Sequence, residues 1–241
     1  MDFSEPLTKA RLIKRYKRFL ADVELENGEQ ITIHTANTGS MSGCAIPGST
    51  IWISNSHNPK RKYLYSWEIS TTDSQNRVGI NTGLANKLVK EAIETGAIQE
   101  LINIEQIETE VPYGQEKSRI DLLVTQTNGQ KCYIEVKNVT ASFEEGVGAF
   151  PDAVTARGTK HLRELEWMVQ QGHRGIIFFC VQREDINAVR AAQEIDPLYA
   201  KTLQQVKDNG VEVLAYGVSF LGNESPTGIL LNRKLDIITK T

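Results

Sequence analysis

Apolar and polar positions alternate on both sides of Asn27-Gly28 in "RFLADVELENGEQITIHTA" (Arg18–Ala36), the period-two pattern of a hairpin that buries one face. Strand-length runs follow in "STIWISNS", "RKYLYSWEIS" and "RVGINT", separated by loops rich in Gly, Ser, Asn and Pro. Roughly five short strands in about 80 residues predict a small β-barrel, with the oligonucleotide-binding (OB) fold a natural candidate; a plain β-sandwich gives much the same pattern.

After Thr82 the period changes. "LANKLVKEAIET" (Leu84–Thr95) sets Leu84, Leu88, Val89 and Ala92 on one helical stripe, with Gly96 as the stop. "RIDLLVTQTNGQKCYIEVKNVT" (Arg119–Thr140) reads as a second hairpin, and "PDAVTARGTKHLRELEWMVQQ" as a long helix with Leu162, Leu165 and Val169 inward. "GIIFFCVQ" (Gly175–Gln182) is a continuous apolar run, as in a strand covered on both faces. Asp196-Pro197 has the form of an N-cap with Pro in the first turn of another helix, closed by Gly210, and "VEVLAYGVSF" is a further strand. Helix, hairpin, helix, strand, helix, strand describes an α/β domain with a mixed sheet. The expected division is residues 1–82 and 83–241.

The second hairpin carries charge where apolar residues would serve a sheet better, and its register decides what the charge means. A two-residue turn at Asn128-Gly129 mixes apolar and charged residues on both faces. A three-residue loop, Thr127-Asn128-Gly129, sets Val124 opposite Cys132, Leu122 opposite Ile134 and Ile120 opposite Val136, and a one-residue slip moves every side chain to the other face. That sorting favours the longer loop. The other face then opposes Asp121 to Glu135, with Arg119 near Lys137. Directly opposed like charges are destabilising, and a hard divalent cation relieves them: two carboxylates and the Val136 carbonyl, with waters, suit Mg²⁺ or Mn²⁺. Lys137, on the same face, could orient or deprotonate a water or steady charge on a phosphate. Equally, hairpin faces are routinely charged, and Arg119 and Lys137 could pair both acids at the surface.

Composition changes this picture little, but charge divides it. Residues 1–82 hold 10 Lys+Arg against 8 Asp+Glu (net +2), and residues 83–241 hold 17 against 22 (net −5), which suggests two modules with different tasks. Cys44, Cys132 and Cys180 are odd in number and lack CxxC spacing, the usage of a reducing cytoplasm without disulfides or a zinc site. No apolar run approaches the roughly 18 residues of a membrane span, and the start "MDFSEPLTKARLIKRYKRF" carries charges where a signal peptide has its apolar core. His34, His57 and His173 lack ligand-like spacing. "EEGVGAFPD" lacks the spacing of a nucleotide-binding loop and reads as a loop near the candidate site.

An Asp on one strand and "IEVK" on the next resemble the PD-(D/E)xK nuclease superfamily. More specifically, "RYKRFLADV", "NTGSM", "KRKY" with "SWE", "SRID", "YIEVKNVT" and "FPDAVTARGTKHLREL" resemble the sugar fermentation stimulation protein A family, from near the N-terminus to about Val181. The resemblance implies an OB-like β-barrel followed by a PD-(D/E)xK restriction-endonuclease-like mixed-sheet domain, DNA as partner, and metal-site roles for Asp121, Glu135 and Lys137. The superfamily name implies Pro before the first acid, where Arg119 and Ile120 stand here. Superfamily members often add a carboxylate from the first helix, and Glu91, beside the Leu84/Leu88 stripe, is the candidate; an ordinary solvated helix Glu is the alternative. On the long helix Arg157, Lys160, His161 and Glu164 share a face opposite Leu162 and Leu165, which reads either as phosphate contact or as a charged outer face.

Basic residues interleave with rings in "KRYKRF" (Lys14, Arg15, Lys17, Arg18 around Tyr16 and Phe19) and in "KRKYLYSW" (Lys60, Arg61, Lys62 before Tyr63, Tyr65 and Trp67). Phosphates need cations and unstacked bases need flat partners, so the mixture suits nucleic acid; the same rings serve equally as barrel core. "NTGSMSG" is a polar, Gly-rich loop able to approach a backbone closely. Three functions follow as expectations: a metal-dependent nuclease, a DNA-binding regulator of sugar-metabolism genes that keeps the fold and cleaves nothing, and, more remotely, a metal-stabilised binding module.

Overall fold

The computed structural model describes residues 1–238. Six strands build the first module: β1 (Thr8–Tyr16), β2 (Leu20–Leu25), β3 (Gln30–Thr35), β4 (Thr50–Asn55), β5 (Tyr65–Thr71) and β6 (Arg77–Gly79). Their order is β3-β2-β1-β4-β5-β6, and a parallel pairing of His34 with Ser66 and Thr35 with Trp67 joins β3 back to β5, closing five strands into a barrel. The long β1 serves both neighbours, β2 and β4, and its register shifts between Leu12 and Lys14, the kind of bulge that bends a strand around a small barrel. Alternation along these strands delivers Leu12, Val23, Ile33, Ile51, Ile53 and Trp67 to the interior. The first hairpin turns through three residues ending at Gly28 (φ +83°), a backbone region that favours glycine.

The second module runs α1 (Ala85–Glu94), β7 (Ile104–Tyr113), β8 (Ser118–Gln126), β9 (Lys131–Val139), β10 (Ser142–Glu144), β11 (Val147–Phe150), α2 (Ala156–Gln170), β12 (Arg174–Val181), β13 (Ala188–Ala191), α3 (Pro197–Asp208), β14 (Glu212–Leu221), β15 (Gly228–Lys234) and β16 (Asp236–Ile238). Six strands form a mixed sheet, β15-β14-β12-β9-β8-β7, parallel across β9-β12-β14 and antiparallel at both edges. Helix α1 lies in the core on one face, with Leu122, Val124, Ile134, Val136 and Phe178; α2 and α3 cover the other, with Leu123, Tyr133, Ile177 and Phe179. The central run "GIIFFCV" is buried throughout, as a strand covered on both faces must be. Thr155 caps α2 by accepting from Gly158 N at 2.9 Å, and Asp196 caps α3 by accepting from Tyr199 N at 2.9 Å.

The barrel is not a free appendage. Leu7, Trp52 and Ile69 from its outer surface enter the same apolar cluster as Leu88 and Val89 of α1. Gly79 N donates to Gln182 O at 2.7 Å, and Val78 bridges to Arg183. Three features differ from the sequence expectation. An edge strand, β7, precedes the hairpin. The segment read as a loop, "EEGVGAF", is largely two short strands, β10 and β11, which join β13 and β16 in a small third sheet. Ile120 lies in the core under α2 rather than with Leu122 and Val136, so β8 twists between Ile120 and Leu122.

Candidate functional site

The hairpin of β8 and β9 carries the site. Val124 pairs with Cys132 and Leu122 with Ile134, while Gln126 N donates to Gln130 O around a loop closed by Gly129 (φ +83°). This is the register of the three-residue loop. The recorded pairing stops at Leu122–Ile134, and beyond it the strands part. There the Val136 N–H donates at 2.8 Å to Asp121 Oδ2 instead of to a backbone carbonyl. N–H and C=O of one strand residue point to the same side, so the Val136 carbonyl faces the same gap. Asn86 of α1 donates at 2.9 Å to Asp121 Oδ1.

On the α2 side Glu135 and Lys137 are buried, 3% and 9% exposed. Lys137 Nζ donates to Glu135 Oε1 at 2.7 Å. His161, itself buried, sets Nδ1 against the same oxygen, and its Nε2 accepts from Arg157 Nε at 3.3 Å. Because Arg can only donate, that arrangement puts the imidazole proton on Nδ1, directed at Glu135. Both donors use Oε1, and Glu135 Oε2 is buried without a partner. Burial raises the Glu135 pKa, but the His161 hydrogen bond and the Lys137 charge more than offset it and hold the group below its ordinary value. Asp121 goes the other way: burial and then the Glu135 charge raise it, against the lowering by Val136 N–H, Asn86 and Lys137. The two acids are thus near enough to repel, and their environments push them apart.

Around them sit further polar groups. Glu164 Oε1 accepts from Gln115 N (3.1 Å) and Glu116 N (2.9 Å), pinning the β7–β8 turn. The turn's Gly114 has φ +73°, and a Cβ there would fall 1.3 Å from Glu164 Oε2, so only glycine lets the carboxylate in. Tyr113 Oη is buried without a partner, and burial plus the charges of Glu135, Glu164 and Asp121 raise its pKa.

Lys137 also lines a cleft of about 240 Å³ at the seam between the modules. Asn37, Thr38 and Gly39 form its wall on the barrel side, with Val136, Asn138, Thr140, Phe150 and Asp152 opposite. Two bonds bridge the walls: Ser40 N to Asp152 Oδ2 at 3.0 Å, and Asn37 Nδ2 to Thr140 Oγ1 at 3.3 Å.

The structure therefore brings together Asp121, Glu135, Val136, Lys137, His161 and Arg157. Glu91 is not among them: its carboxylate pairs with the Met1 α-ammonium at 2.7 Å, and Asn86 is the α1 residue that reaches Asp121. His161 is too buried for phosphate contact and belongs to the acid cluster. The α2 face read as phosphate-contacting or outward is in part an inner wall, with Glu164 also buried, while Lys160 donates to the Glu116 carbonyl at 2.5 Å. Arg119 is exposed and donates to Glu110 O at 2.6 Å, not to either acid. Asn86 carries one sequence signal: it precedes Val89 and Ile93 by three and seven residues, on the buried side of α1.

The basic residues of the barrel divide. Arg15 is committed to main-chain carbonyls, its Nη2 donating to Arg18 O (2.6 Å), Gly39 O (2.9 Å) and Asn37 O (3.0 Å). Lys14 is exposed beside Asp22, at 3.4 Å. Lys17 and Arg18 form the β1–β2 turn, with φ +49° and +62°, and both are exposed. Lys60, Arg61 and Lys62 lie on the β4–β5 loop; Arg61 donates to Ser66 Oγ at 3.2 Å and Lys62 lies over the Tyr63 ring. Trp67 is core, whereas Phe19 is 45% exposed.

Fold and site together define a class: an OB-type barrel packed against a nuclease-like mixed-sheet domain that buries an acid–lysine pair. Residues 83–224 match the family model described as sugar fermentation stimulation protein RE domain, and residues 13–80 match the SfsA N-terminal OB domain. The chain belongs to the sugar fermentation stimulation protein family. A sugar fermentation stimulation protein homolog of Shewanella frigidimarina is 53% identical over 231 residues, 96% of this chain and 97% of the relative. One from Pseudoalteromonas atlantica is 51% identical over 99% of this chain and 100% of its own. Among solved structures, Pyrococcus furiosus SfsA in complex with Ca²⁺ superposes with a TM-score of 0.84 at 25% identity, covering 99% of this chain and 98% of that one. Among the described residues, no helix is long and apolar enough to cross a membrane.

Proposed function

We propose that this protein binds DNA and carries a divalent-metal-dependent phosphodiesterase site of the PD-(D/E)xK kind. One observation carries the reading: where β8 and β9 part, a buried carboxylate oxygen without a partner, Glu135 Oε2, lies near a second acid of raised pKa. Among the described residues no three His, Cys, Asp or Glu side chains gather as a ready-made cage. Mg²⁺ does not need one, since it keeps several waters and takes one or two carboxylates. Asp121, Glu135 through Oε2, and the Val136 carbonyl are the groups that would hold it. When bound, such an ion supplies an activated water and neutralises charge on a phosphate. The solved relative is in complex with Ca²⁺, another hard cation that takes oxygen ligands, which supports a divalent cation as the ligand class.

The chain's own residues supply the rest. His161 and Lys137 hold Glu135 ionised and fix its rotamer, leaving the second oxygen for the ion. Lys137 reaches the cleft, where its charge meets a phosphate. The OB barrel, a fold that binds oligonucleotides and oligosaccharides, forms the cleft's other wall.

A second reading, a DNA-binding regulator that cleaves nothing, rests on Glu135 Oε1 being engaged by both Lys137 and His161, the arrangement of a satisfied structural acid. Purified protein incubated with single-stranded, duplex and branched DNA and with RNA, in Mg²⁺ or Mn²⁺, separates the two. Metal-dependent cutting that disappears in Glu135→Ala supports the first. Cutting that persists in Glu135→Ala overturns the site, and binding without cutting of any substrate moves the function to the second.

A further inference from the structure

Arg15 links two surfaces that sequence distance keeps apart. Its guanidinium donates to Arg18 O in the β1–β2 turn and to Asn37 O and Gly39 O in the loop that walls the Lys137 cleft. Thr35 N donates to Phe19 O at 2.9 Å, tying the same turn to the start of that loop. The turn therefore abuts the cleft rim, and it carries Lys17, Arg18 and Phe19 in sequence. Among the described residues Lys17 and Arg18 make no ion pair, whereas Lys14 beside them has Asp22. Phe19 leaves nearly half its surface in water on a barrel with ample core to accept a ring, as Trp67 shows.

The cleft itself is narrow. At about 240 Å³ it falls below the roughly 300–1,000 Å³ of an ordinary small-molecule pocket. The Ser40–Asp152 and Asn37–Thr140 bonds hold its walls together. Asp152 at the rim adds a negative charge, but its Oδ2 is taken by the Ser40 N–H. Widening the cleft for a duplex would strain those bonds, while a single strand asks for less room.

We infer that the substrate is an unpaired nucleic-acid strand, docked by stacking of one base on Phe19 and by phosphate contact from Lys17 and Arg18, and led past Asn37–Gly39 to Lys137. Basic residues beside an exposed ring are the two elements that sequence-tolerant strand binding requires. This rests on the nucleic-acid reading above and names the strand state that reading leaves open.

The test is fluorescence anisotropy of a 5′-labelled oligothymidylate and of a blunt hairpin duplex of equal charge, with full-length protein in Ca²⁺ and at two salt concentrations. Wild type is expected to bind the single strand at least about 10-fold tighter than the duplex. Phe19→Ala should weaken the single strand by roughly 5- to 150-fold, the range for one lost base stack, and Phe19→Tyr should restore it to within about twofold. Lys17→Ala with Arg18→Ala should weaken binding and flatten its salt dependence. Equal or tighter duplex binding, or an unchanged affinity in Phe19→Ala, overturns the inference while leaving the nucleic-acid reading intact. Failure of wild type to bind any DNA or RNA overturns both.

Discussion

Replacing Asp121 by Asn isolates the charge repulsion in the strand gap. Asn keeps the shape, its Oδ1 can still accept from Val136 N–H, and its amide can donate to Asn86 once that side chain turns over. Only the negative charge is lost. Two like unit charges 4–6 Å apart repel by roughly 3–4 kcal/mol at an effective dielectric near 20. The charge-assisted bonds from Val136 N–H and Asn86 and the attraction of Lys137 offset most of that. A net gain of about 1 kcal/mol for the metal-free protein follows, about 2–4 °C in Tm for a chain of this size. With metal the sign reverses. Ligand at 100 times its Kd stabilises by about 2.7 kcal/mol, roughly 5–10 °C, and Asp121→Asn should lose nearly all of it. Differential scanning fluorimetry in EDTA and across a Ca²⁺ titration reads both effects. A metal-dependent shift that survives in Asp121→Asn, or a variant less stable than wild type in EDTA, would refute the geometry proposed for the gap.

The other predictions probe the surroundings. Gly114→Ala should destabilise by about 2–4 kcal/mol, from left-handed backbone strain and displacement of the Glu164 carboxylate; Gly129→Ala, with the same sign of φ and open space at its Cβ position, should cost only about 1 kcal/mol, both by urea denaturation. Arg15→Ala leaves the carbonyls of Arg18, Asn37 and Gly39 without their donor, so hydrogen exchange should accelerate through residues 17–20 and 36–40 while the α/β domain keeps its protection. Acidification should weaken metal binding in two stages, because the ion competes with protons. The raised pKa of Asp121 makes it protonate first, above the ordinary Asp value of ~3.9, and Glu135, held low, stays ionised further down. For the metal-free protein the signs differ: the stabilisation from Glu135 is present above its unfolded value and lost as pH falls through its lower folded one, whereas Asp121 destabilises increasingly as pH rises through its window. Calorimetric Ca²⁺ titrations from pH 7 to about pH 3, below the ordinary carboxylate values of ~3.9 and ~4.3, measure the first effect, and metal-free melts over the same range the second.

The hairpin that carries the site was the most legible part of the chain. Its register followed from sorting side chains, since a slip would have set Leu122 on the face of Glu135, and Ile134 and Val136 on the face of Asp121. What sequence could not give was the break in that hairpin. Nothing in "RIDLL" announces that pairing ends at Leu122 or that Ile120 turns to the other core, because the twist comes from packing against α2. β7 escaped detection because it is an edge strand whose outer residues are mostly exposed, so it lacks the alternation that marks a half-buried strand. β10, β11, β13 and β16 are only three or four residues each, too short for any period to emerge. Glu91 was read from its place on a helical wheel, but which side of α1 meets Asp121 depends on where the helix lies across the sheet. The pattern sets His161 with Arg157, Lys160 and Glu164 opposite Leu162 and Leu165, but His161 and Glu164 are buried on the same side of α2 as those leucines, because the acid cluster under the helix draws them inward.

Glu135 and Lys137 sit where a sheet covered on both faces has least use for charge. Ile134 and Val136, their alternating neighbours, already bury apolar surface under α1. On the α2 side Leu123, Tyr133 and Phe179 do the same around the charges. Removing one member of a buried ion pair costs heavily, yet replacing the whole set with apolar residues is often neutral or stabilising. Stability therefore gives no account of a carboxylate, an ammonium and an imidazole meeting at one oxygen in the interior. The geometry has a simpler reading in chemistry. Spending two donors on Glu135 Oε1 locks the carboxylate in place and leaves Oε2 free, and the lock itself, through Lys137, forms part of the cleft wall. A group held this way is ready for a ligand at its other oxygen before the ligand arrives, which is the preorganisation that electrostatic catalysis requires.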